Sequence, residues 1–140
     1  MKLAICTDVF ADLSYTDMLD KVKSLGIDAV EMTAGGWGAR KHCNTAELLA
    51  DEGKRKEFMG ELEKRGMRIS ALNTSCNPLW PSKTGEEYKK SMYDCATLAG
   101  LLGVKKIVAM AGLPAGSETD TTPNWITSTV SWPDFMAPAY

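Results

Sequence analysis

The chain has 140 residues, of which 44% are hydrophobic and 24% charged, and its formal net charge is -2. This size and composition are typical of one folded domain with a buried core, not of a disordered protein. The basic residues are spread along the chain, which argues against a nucleic-acid-binding or membrane-binding surface. No apolar run approaches the roughly 18 residues of a transmembrane helix, and residues 1–6 are too short for a signal peptide.

The four cysteines, Cys6, Cys43, Cys76 and Cys95, form no CxxC pair. A disulfide framework is not expected in a chain with this much apolar core and no secretion signal. Cys6 and Cys95 fall on apolar faces and are expected to be small buried residues. Cys43 and Cys76 fall in predicted loops and are expected to be exposed thiols. Together these features predict a reducing, cytoplasmic setting.

The first part of the chain predicts a strand followed by an amphipathic helix. Lys2–Val9 alternates weakly, as a strand does, and Ser14-x-x-Asp17 resembles the capping box that opens a helix. Gly26 supplies the left-handed residue that ends this helix. The predicted apolar stripe of the helix consists of Tyr15, Met18, Leu19, Val22 and Leu25.

The second part predicts a strand over Ile27–Thr33 and a loop over Ala34–His42. This loop holds three glycines and one tryptophan, so its backbone is expected to approach a ligand closely. Helices are predicted over Ala46–Ala50 and Glu52–Arg65. A third strand, Met67–Leu72, follows.

The third part begins with a polar loop closed by a proline, Asn73–Pro81. Thr84-x-x-Glu87 is a clearer capping box and predicts the start of a helix. The apolar run Val104–Ala111 predicts a fourth strand, of the kind that is covered on both faces of a parallel sheet. The predicted apolar stripe of the helix consists of Tyr88, Met92, Cys95, Ala96, Ala99 and Leu102.

Three glycines mark a repeat of a helix end followed by a strand. Gly26, Gly66 and Gly103 lie 40 and 37 residues apart. Strands that alternate with helical segments predict a parallel sheet, either open and doubly wound or half of a (β/α)8 barrel of about 250 residues. Residues 1–112 form the four predicted βα units, and residues 113–140 a long loop and tail. Bare edges on the first and fourth strands predict a homodimer, or a tail that covers the exposed surface.

Three long segments resemble one known family. They are GARKHCNTAELLADEGKRKEF, RISALNTSCNPLWP and VAMAGLPAGSETDTTPNWITSTVSWP. They look like the sugar phosphate isomerase/epimerase family, the xylose isomerase-like TIM barrels, from the first strand to about Asp134. NPLWP resembles the family's NPLHP after its third strand. The chain departs from the family at Trp80, where histidine is usual, and at Cys76, where glycine is usual.

The resemblance implies the parallel (β/α)4 N-terminal half of a TIM barrel, open to completion by self-association. In the family's full barrel a divalent metal (Mn, Mg, Co or Zn) lies at the carboxyl ends of the strands and assists proton transfer on a ketose or aldose. The family's metal ligands come mainly from strands five to eight. We therefore assign no metal ligand and no catalytic residue here, expect no cofactor for this chain alone, and expect the chain alone to be inactive.

Charged and imidazole groups near the predicted strand ends are the first candidates for substrate binding. Glu31 lies near the end of the second strand, where it either faces the pocket or pairs with a lysine or arginine; Asp8 is a weaker candidate of the same kind. His42 matches a family histidine. It either contacts a sugar hydroxyl or phosphate or packs against Trp37.

Amide and aromatic side chains complete the set of candidates. Asn73 and Asn77 either bind a polyol or satisfy their own loop backbone, which asparagine commonly does. Trp37, Trp80 and Trp125 either stack on a sugar or anchor their loops. Three functions remain open: an isomerase or epimerase represented by its N-terminal half, a non-catalytic sugar-binding protein, and a self-associating half-barrel without a ligand. The expected partners are a sugar or sugar phosphate and a second copy of the chain.

Overall fold

The computed structural model describes residues 2–115, 117 and 119. These residues form a four-stranded sheet in which every strand pairs in parallel with the next one along the chain. The strands are β1 (Ile5–Cys6), β2 (Ala29–Thr33), β3 (Arg68–Asn73) and β4 (Ile107–Val108). The strand order never reverses, whereas a doubly wound sheet requires a reversal. The sequential order is therefore that of a barrel segment.

Four α-helices connect the strands: α1 (Tyr15–Ser24), α2 (Thr45–Ala50), α3 (Glu52–Lys64) and α4 (Lys83–Leu102). Each begins at a polar side chain that accepts a backbone N–H of the first turn, which is the usual way to satisfy these donors. The capping residues are Ser14, Asn44, Asp51 and Ser82. The glycines that follow α1, α3 and α4 all have positive φ, as the repeat predicted; they are Gly26, Gly66 and Gly103.

The start of α4 corrects one prediction. The cap is Ser82 and not Thr84, because the Ser82 backbone is extended and its side chain accepts the N–H of Gly85 at 3.1 Å. Thr84 therefore lies within the helix. The predicted capping box pointed to the correct helix but placed its start two residues late.

Both outer strands are shorter than predicted. After Cys6 the chain tightens into a 3-10 turn over Thr7–Phe10, which ends β1. In β4, Ile107 is 41% and Val108 38% exposed, so the prediction of a strand covered on both faces is wrong. Among the described residues, β4 pairs with β3 alone.

The register divides the sheet into two faces. One face packs against the helices and builds the buried core, and the other corresponds to the inner face of a barrel segment. The core face carries Ile5, Val30, Met32, Ile69 and Leu72. The inner face carries Cys6, Glu31, Thr33, Ala71, Asn73 and Val108.

A bulge in β3 keeps these faces in register. Val30 pairs with Ile69, but Glu31 pairs with Ala71, so Ser70 is the extra residue. Its hydroxyl donates to the carbonyl of Val30 at 2.9 Å. A bulge of this kind redirects the side chains that follow it. It allows Ile69 and Leu72, three residues apart, to face the same core.

Burial corrects two predicted helix stripes and two cysteines. Leu25 is 53% exposed and Ala96 is exposed, whereas Leu98, which was not in the predicted stripe, is fully buried. Cys43 and Cys76 are both fully buried, so the expectation of exposed thiols is wrong. All four cysteines are free. Neighbouring loops and helices cover these two positions, which the local sequence does not reveal.

Two further expectations concern membrane-crossing helices and the C-terminal tail. Within the described part of the chain, no helix combines the length and apolar character that crossing a membrane requires. Most of the predicted tail at 113–140 lies outside the described residues.

Candidate substrate site at the carboxyl ends of the strands

The closest polar pair of the inner face joins Glu31 of β2 to Asn73 of β3. The amide Nδ2 of Asn73 donates to Oε1 of Glu31 at 2.6 Å. The Oδ1 of Asn73 accepts the backbone N–H of Ser75 at 2.8 Å, which fixes the orientation of the amide. The partner of Glu31 is therefore an amide on the next strand and not the lysine or arginine of the alternative expectation.

The glycine-rich loop after β2 packs on the loop after β3. The N–H groups of Ala34 and Gly35 donate to the carbonyl of Asn73 at 2.9 and 3.2 Å, and the N–H of Trp37 donates to the carbonyl of Ser75 at 3.0 Å. Gly36 has a φ of 71°, and a Cβ on it would clash with Ser75 O. The backbone approach expected toward a ligand is thus made to the neighbouring loop.

Trp37 and Tyr88 form an aromatic pair beside these loops. Nε1 of Trp37 donates to the Tyr88 hydroxyl at 2.9 Å, and the rings meet edge-on, with centroids 6.2 Å apart. Trp37 is 52% exposed. Tyr88 was predicted only as part of a buried helix stripe, so its contact with the loop after β2 was missed. Its position in the second turn of α4, close to the loop after β3, was the feature of the sequence that could have indicated this contact.

Asn77 bridges the loops after β3 and β4. Its Nδ2 donates to Leu113 O at 3.0 Å, and its Oδ1 accepts the N–H groups of Leu113 and Leu79 at 2.9 and 3.3 Å. The side chain is fully buried. The structure therefore matches the alternative in which this asparagine forms hydrogen bonds with loop backbone groups. Both Nδ2 and Oδ1 of Asn77 are used in these bonds, not in binding a sugar.

Of the two remaining tryptophan candidates, the structure describes Trp80 but not Trp125. Trp80 is partly buried directly before α4, and its carbonyl accepts the N–H of Ser82 at 2.8 Å. Trp125 lies outside the described residues.

His42 is separated from the pair of Glu31 and Asn73. It is 6% exposed, and its Nε2 lies 3.1 Å from Leu13 O. It lines a cleft of about 460 Å³ between α1, α2 and α3, on the helix side of the sheet. Trp37, its other expected neighbour, contacts Tyr88 instead.

Asp8 lies closer to the strand ends than His42 does. Its Oδ2 would be 2.6 Å from a Cβ on Gly38, so the carboxylate touches the glycine-rich loop. The structure thus brings Asp8, Trp37, Glu31 and Asn73 to the inner face or to the loops at its carboxyl edge. It does not bring His42 there.

A complete divalent-metal site does not form from the described residues. No three histidine, cysteine, aspartate or glutamate side chains among them cluster closely enough to hold an ion. Glu31 is held by an amide, and Asp8 lies against a loop backbone. The donor set present therefore does not fit the metal centre implied by the resemblance, and no chemical step is assigned through a metal.

Comparison with known proteins finds a longer relative. No family model matches the sequence. The uncharacterized protein YfiH of Bacillus subtilis is 52% identical over 136 residues, which cover 97% of this chain but 44% of YfiH. The chain therefore spans less than half the length of this relative.

Solved structures identify the fold. The probable 3-DHS dehydratase AsbF of Bacillus anthracis superposes with a TM-score of 0.57 at 20% identity, over 80% of this chain and 39% of AsbF. The chain has the fold of part of a TIM barrel. A xylose isomerase domain-containing protein of Salmonella typhimurium LT2 is also similar, at a TM-score of 0.48 and 18% identity, over 85% of this chain and 39% of that protein. The α/β class and the barrel segment expected from the sequence are confirmed.

Proposed function

We propose that this chain is one half of a sugar or sugar phosphate isomerase/epimerase-like barrel, and that it contributes substrate-binding groups but no catalytic activity on its own. The complete barrel would move a proton on a ketose or aldose with the help of a divalent metal held by residues outside the described part. The observation that carries the proposal is the oriented pair of Glu31 and Asn73 at the carboxyl ends of adjacent parallel strands. Active sites of TIM barrels lie at this end.

The pair suits a polyol for a simple reason. Asn73 engages Oε1 of Glu31, which leaves Oε2 as an acceptor for a sugar hydroxyl. Hydrogen bonds from a hydroxyl to a carboxylate are shorter and stronger than neutral ones. Trp37 and Tyr88 add an exposed aromatic surface on the adjoining loop, of the kind on which the apolar face of a sugar can lie.

The remaining expectations belong to the same proposal. The protein acts in the cytoplasm and binds neither nucleic acid nor membranes. A homodimer through the edges of β1 and β4 stays a prediction from the sequence. A non-catalytic sugar-binding protein stays the second candidate, because the pair of Glu31 and Asn73 and the exposed Trp37 describe a binding surface without an assigned catalytic group.

The test is a binding titration of the chain with xylose, fructose and their phosphates, followed by NMR. We expect millimolar binding that perturbs the resonances of residues around Glu31 and Asn73. Glu31→Gln and Asn73→Ala should each weaken binding about tenfold, which corresponds to roughly 1.4 kcal/mol and is within the range of a charge-assisted hydrogen bond. Glu87→Gln, an exposed carboxylate of α4, is the matched control and should bind normally.

A second measurement separates the two candidates. Proton exchange from each sugar in deuterated water, with added Mn²⁺, should be absent for this chain alone. Exchange in a longer protein that contains the chain would favour the isomerase. Binding that ignores both substitutions would refute the assigned site.

A further inference from the structure

The cleft that His42 lines lies in the helix layer, away from the proposed sugar site. It has a volume of about 460 Å³, and its apolar wall consists of Tyr15, Leu48 and Phe58. The rings of Tyr15 and Phe58 stack with their centroids 4.8 Å apart, and the Tyr15 hydroxyl donates to the carbonyl of Phe58 at 2.9 Å. These contacts hold the wall in place, so the cleft offers an apolar surface that is already formed.

His42 supplies a polar atom to this cleft, although the residue is only 6% exposed. Its Nε2 lies 3.1 Å from the carbonyl oxygen of Leu13. Because a carbonyl can only accept, Nε2 carries the proton and the neutral ring has its lone pair at Nδ1. Every fully buried side-chain nitrogen or oxygen among the described residues has a partner, yet none of them partners Nδ1. Nδ1 is therefore open to the cleft and can accept a hydrogen bond from a ligand.

The rim of the cleft carries one carboxylate and one ammonium group that are free of ion pairs. Lys54 pairs with Glu57 at 3.0 Å, and Glu61 pairs with two basic residues at the end of α3. Lys41 and Glu47 also line the cleft and are exposed. Neither of them takes part in an ion pair with another described residue. One negative and one positive group thus stay available to a ligand.

These groups discriminate between classes of ligand. The carboxylate of Glu47 and Nδ1 of His42 are both acceptors, so they suit an ammonium group, which has three donors and no acceptor. Lys41 suits a carboxylate, because hydrogen bonds between ionised groups are shorter and stronger than neutral ones. A neutral ligand would use neither charge, and a simple cation or anion would use one. A zwitterion with an apolar group uses both charges and the apolar wall.

We infer that this cleft binds a free amino acid with an apolar or aromatic side chain. The ammonium group of the ligand donates to Nδ1 of His42 and to the carboxylate of Glu47, its carboxylate accepts from Lys41, and its side chain lies against the apolar wall. A volume of about 460 Å³ is within the range of small-molecule sites. Binding here uses neither Glu31 nor Asn73, so it is independent of the proposed sugar site.

The experiment is a titration of the full chain with phenylalanine, followed by nitrogen NMR of the imidazole. His42 is the only histidine in the sequence, so its two ring nitrogens need no assignment against other histidines. We expect a saturable shift of the Nδ1 resonance, with a dissociation constant in the millimolar range. The Nε2 resonance should shift less, because its bond to Leu13 is kept. An Nδ1 resonance that phenylalanine does not move would overturn the inference.

Three related ligands test each part of the assignment. Phenethylamine lacks the carboxylate, hydrocinnamate lacks the ammonium group, and free glycine lacks the apolar side chain. Each should bind about tenfold more weakly than phenylalanine, since each loses one charge-assisted hydrogen bond or the apolar contact. Equal affinity of phenylalanine and any one of the three would contradict the assignment of an apolar amino acid.

Variants of the two exposed rim residues assign the charges. Glu47→Gln and Lys41→Gln should each weaken phenylalanine binding about tenfold. Glu47→Gln should leave the affinity for hydrocinnamate unchanged, and Lys41→Gln that for phenethylamine, because those ligands lack the group concerned. Glu87→Gln and Lys21→Gln replace exposed residues outside the cleft and are the matched controls, which should bind normally. Circular dichroism verifies folding. Phenylalanine binding that ignores both rim substitutions would overturn the inference.

Discussion

Gly85 offers the sharpest test of the structure, because helix propensity and tertiary packing predict opposite results there. It lies in the first turn of α4, where replacing glycine with alanine normally stabilises a helix by about 1 kcal/mol. A Cβ on Gly85, however, would lie closer than 3.0 Å to the carbonyl oxygen of Trp80, a distance that real Cβ atoms essentially never show. The obstacle is backbone, so a rotamer change cannot relieve it.

The expected loss of stability in Gly85→Ala follows from the contacts that a Cβ at this position would displace. The Trp80 carbonyl accepts the N–H of Ser82, whose side chain caps α4. Overpacking costs about 1–3 kcal/mol, and a disturbed cap adds about 1 kcal/mol. After subtracting about 1 kcal/mol for helix propensity, Gly85→Ala should lower the free energy of unfolding by about 1–3 kcal/mol.

Gly100→Ala is the matched control in the same helix. A Cβ on Gly100 meets no atom within 4 Å, so only propensity acts, and this variant should be more stable by up to about 1 kcal/mol. Urea unfolding followed by circular dichroism measures both changes. If Gly85→Ala is as stable as Gly100→Ala, the close approach of Trp80 to α4 is wrong.

Three further predictions concern the loops, a thiol and an ion pair. Asn77→Ala should destabilise the chain by about 2–4 kcal/mol in the same urea assay, since it strands buried loop backbone groups. Asn77→Asp should cost at least as much, because it sets a buried carboxylate against the carbonyl of Leu113, and unchanged stability of either variant would contradict the bridge. Burial raises the pKa of the Cys43 thiol to about 11, so this thiol should resist Ellman's reagent at pH 8 until the chain unfolds, and rapid labelling in the folded chain would refute its burial. The stabilisation that comes from keeping the thiol protonated in the folded state should be lost as the pH rises from 9 through 11. Hydrogen bonding to Arg65 lowers the pKa of the Asp20 carboxyl below its ordinary value of 3.8. The pair of Asp20 and Arg65 therefore stabilises the fold above pH 3.8, and this stabilisation is lost as the pH falls through the lowered pKa of the folded chain. Unfolding curves of the unmodified chain and Asp20→Asn should therefore converge in acid, and a gap that stays constant with pH would argue against the pair of Asp20 and Arg65.

The parts of the fold that the sequence predicted correctly are those that depend on neighbouring residues. Ser14 opened α1 as expected, and Gly26, Gly66 and Gly103 took positive φ after their helices, because caps and left-handed residues depend on a few neighbouring atoms. Ser82 was missed as the cap of α4 because Thr84 offered an equally good local pattern, and only the path of the preceding loop chooses between them.

The sequence predicted the candidate site only in part, because strand periodicity can be inferred from it but bulges and loop paths cannot. That Glu31 and Asn73 end up on one inner face follows from parallel strands and alternating side chains, both readable from the sequence. Their direct hydrogen bond depends on the bulge at Ser70 and was not predictable. His42 lies on the helix side because the loop before α2 turns back toward Leu13, a path that its glycines permit but do not specify.

The sequence alone determined the alternation of strands and helices, their parallel direction and the edge at which the polar loops gather, since these depend on periodicity and on caps within a few residues. Only the tertiary structure decided that Cys43, Cys76 and Asn77 are buried, that β4 is exposed, and that His42 and Phe58 line one cleft. Burial and charge pairing depend on segments far apart in the chain, and no local pattern records which of those segments will meet.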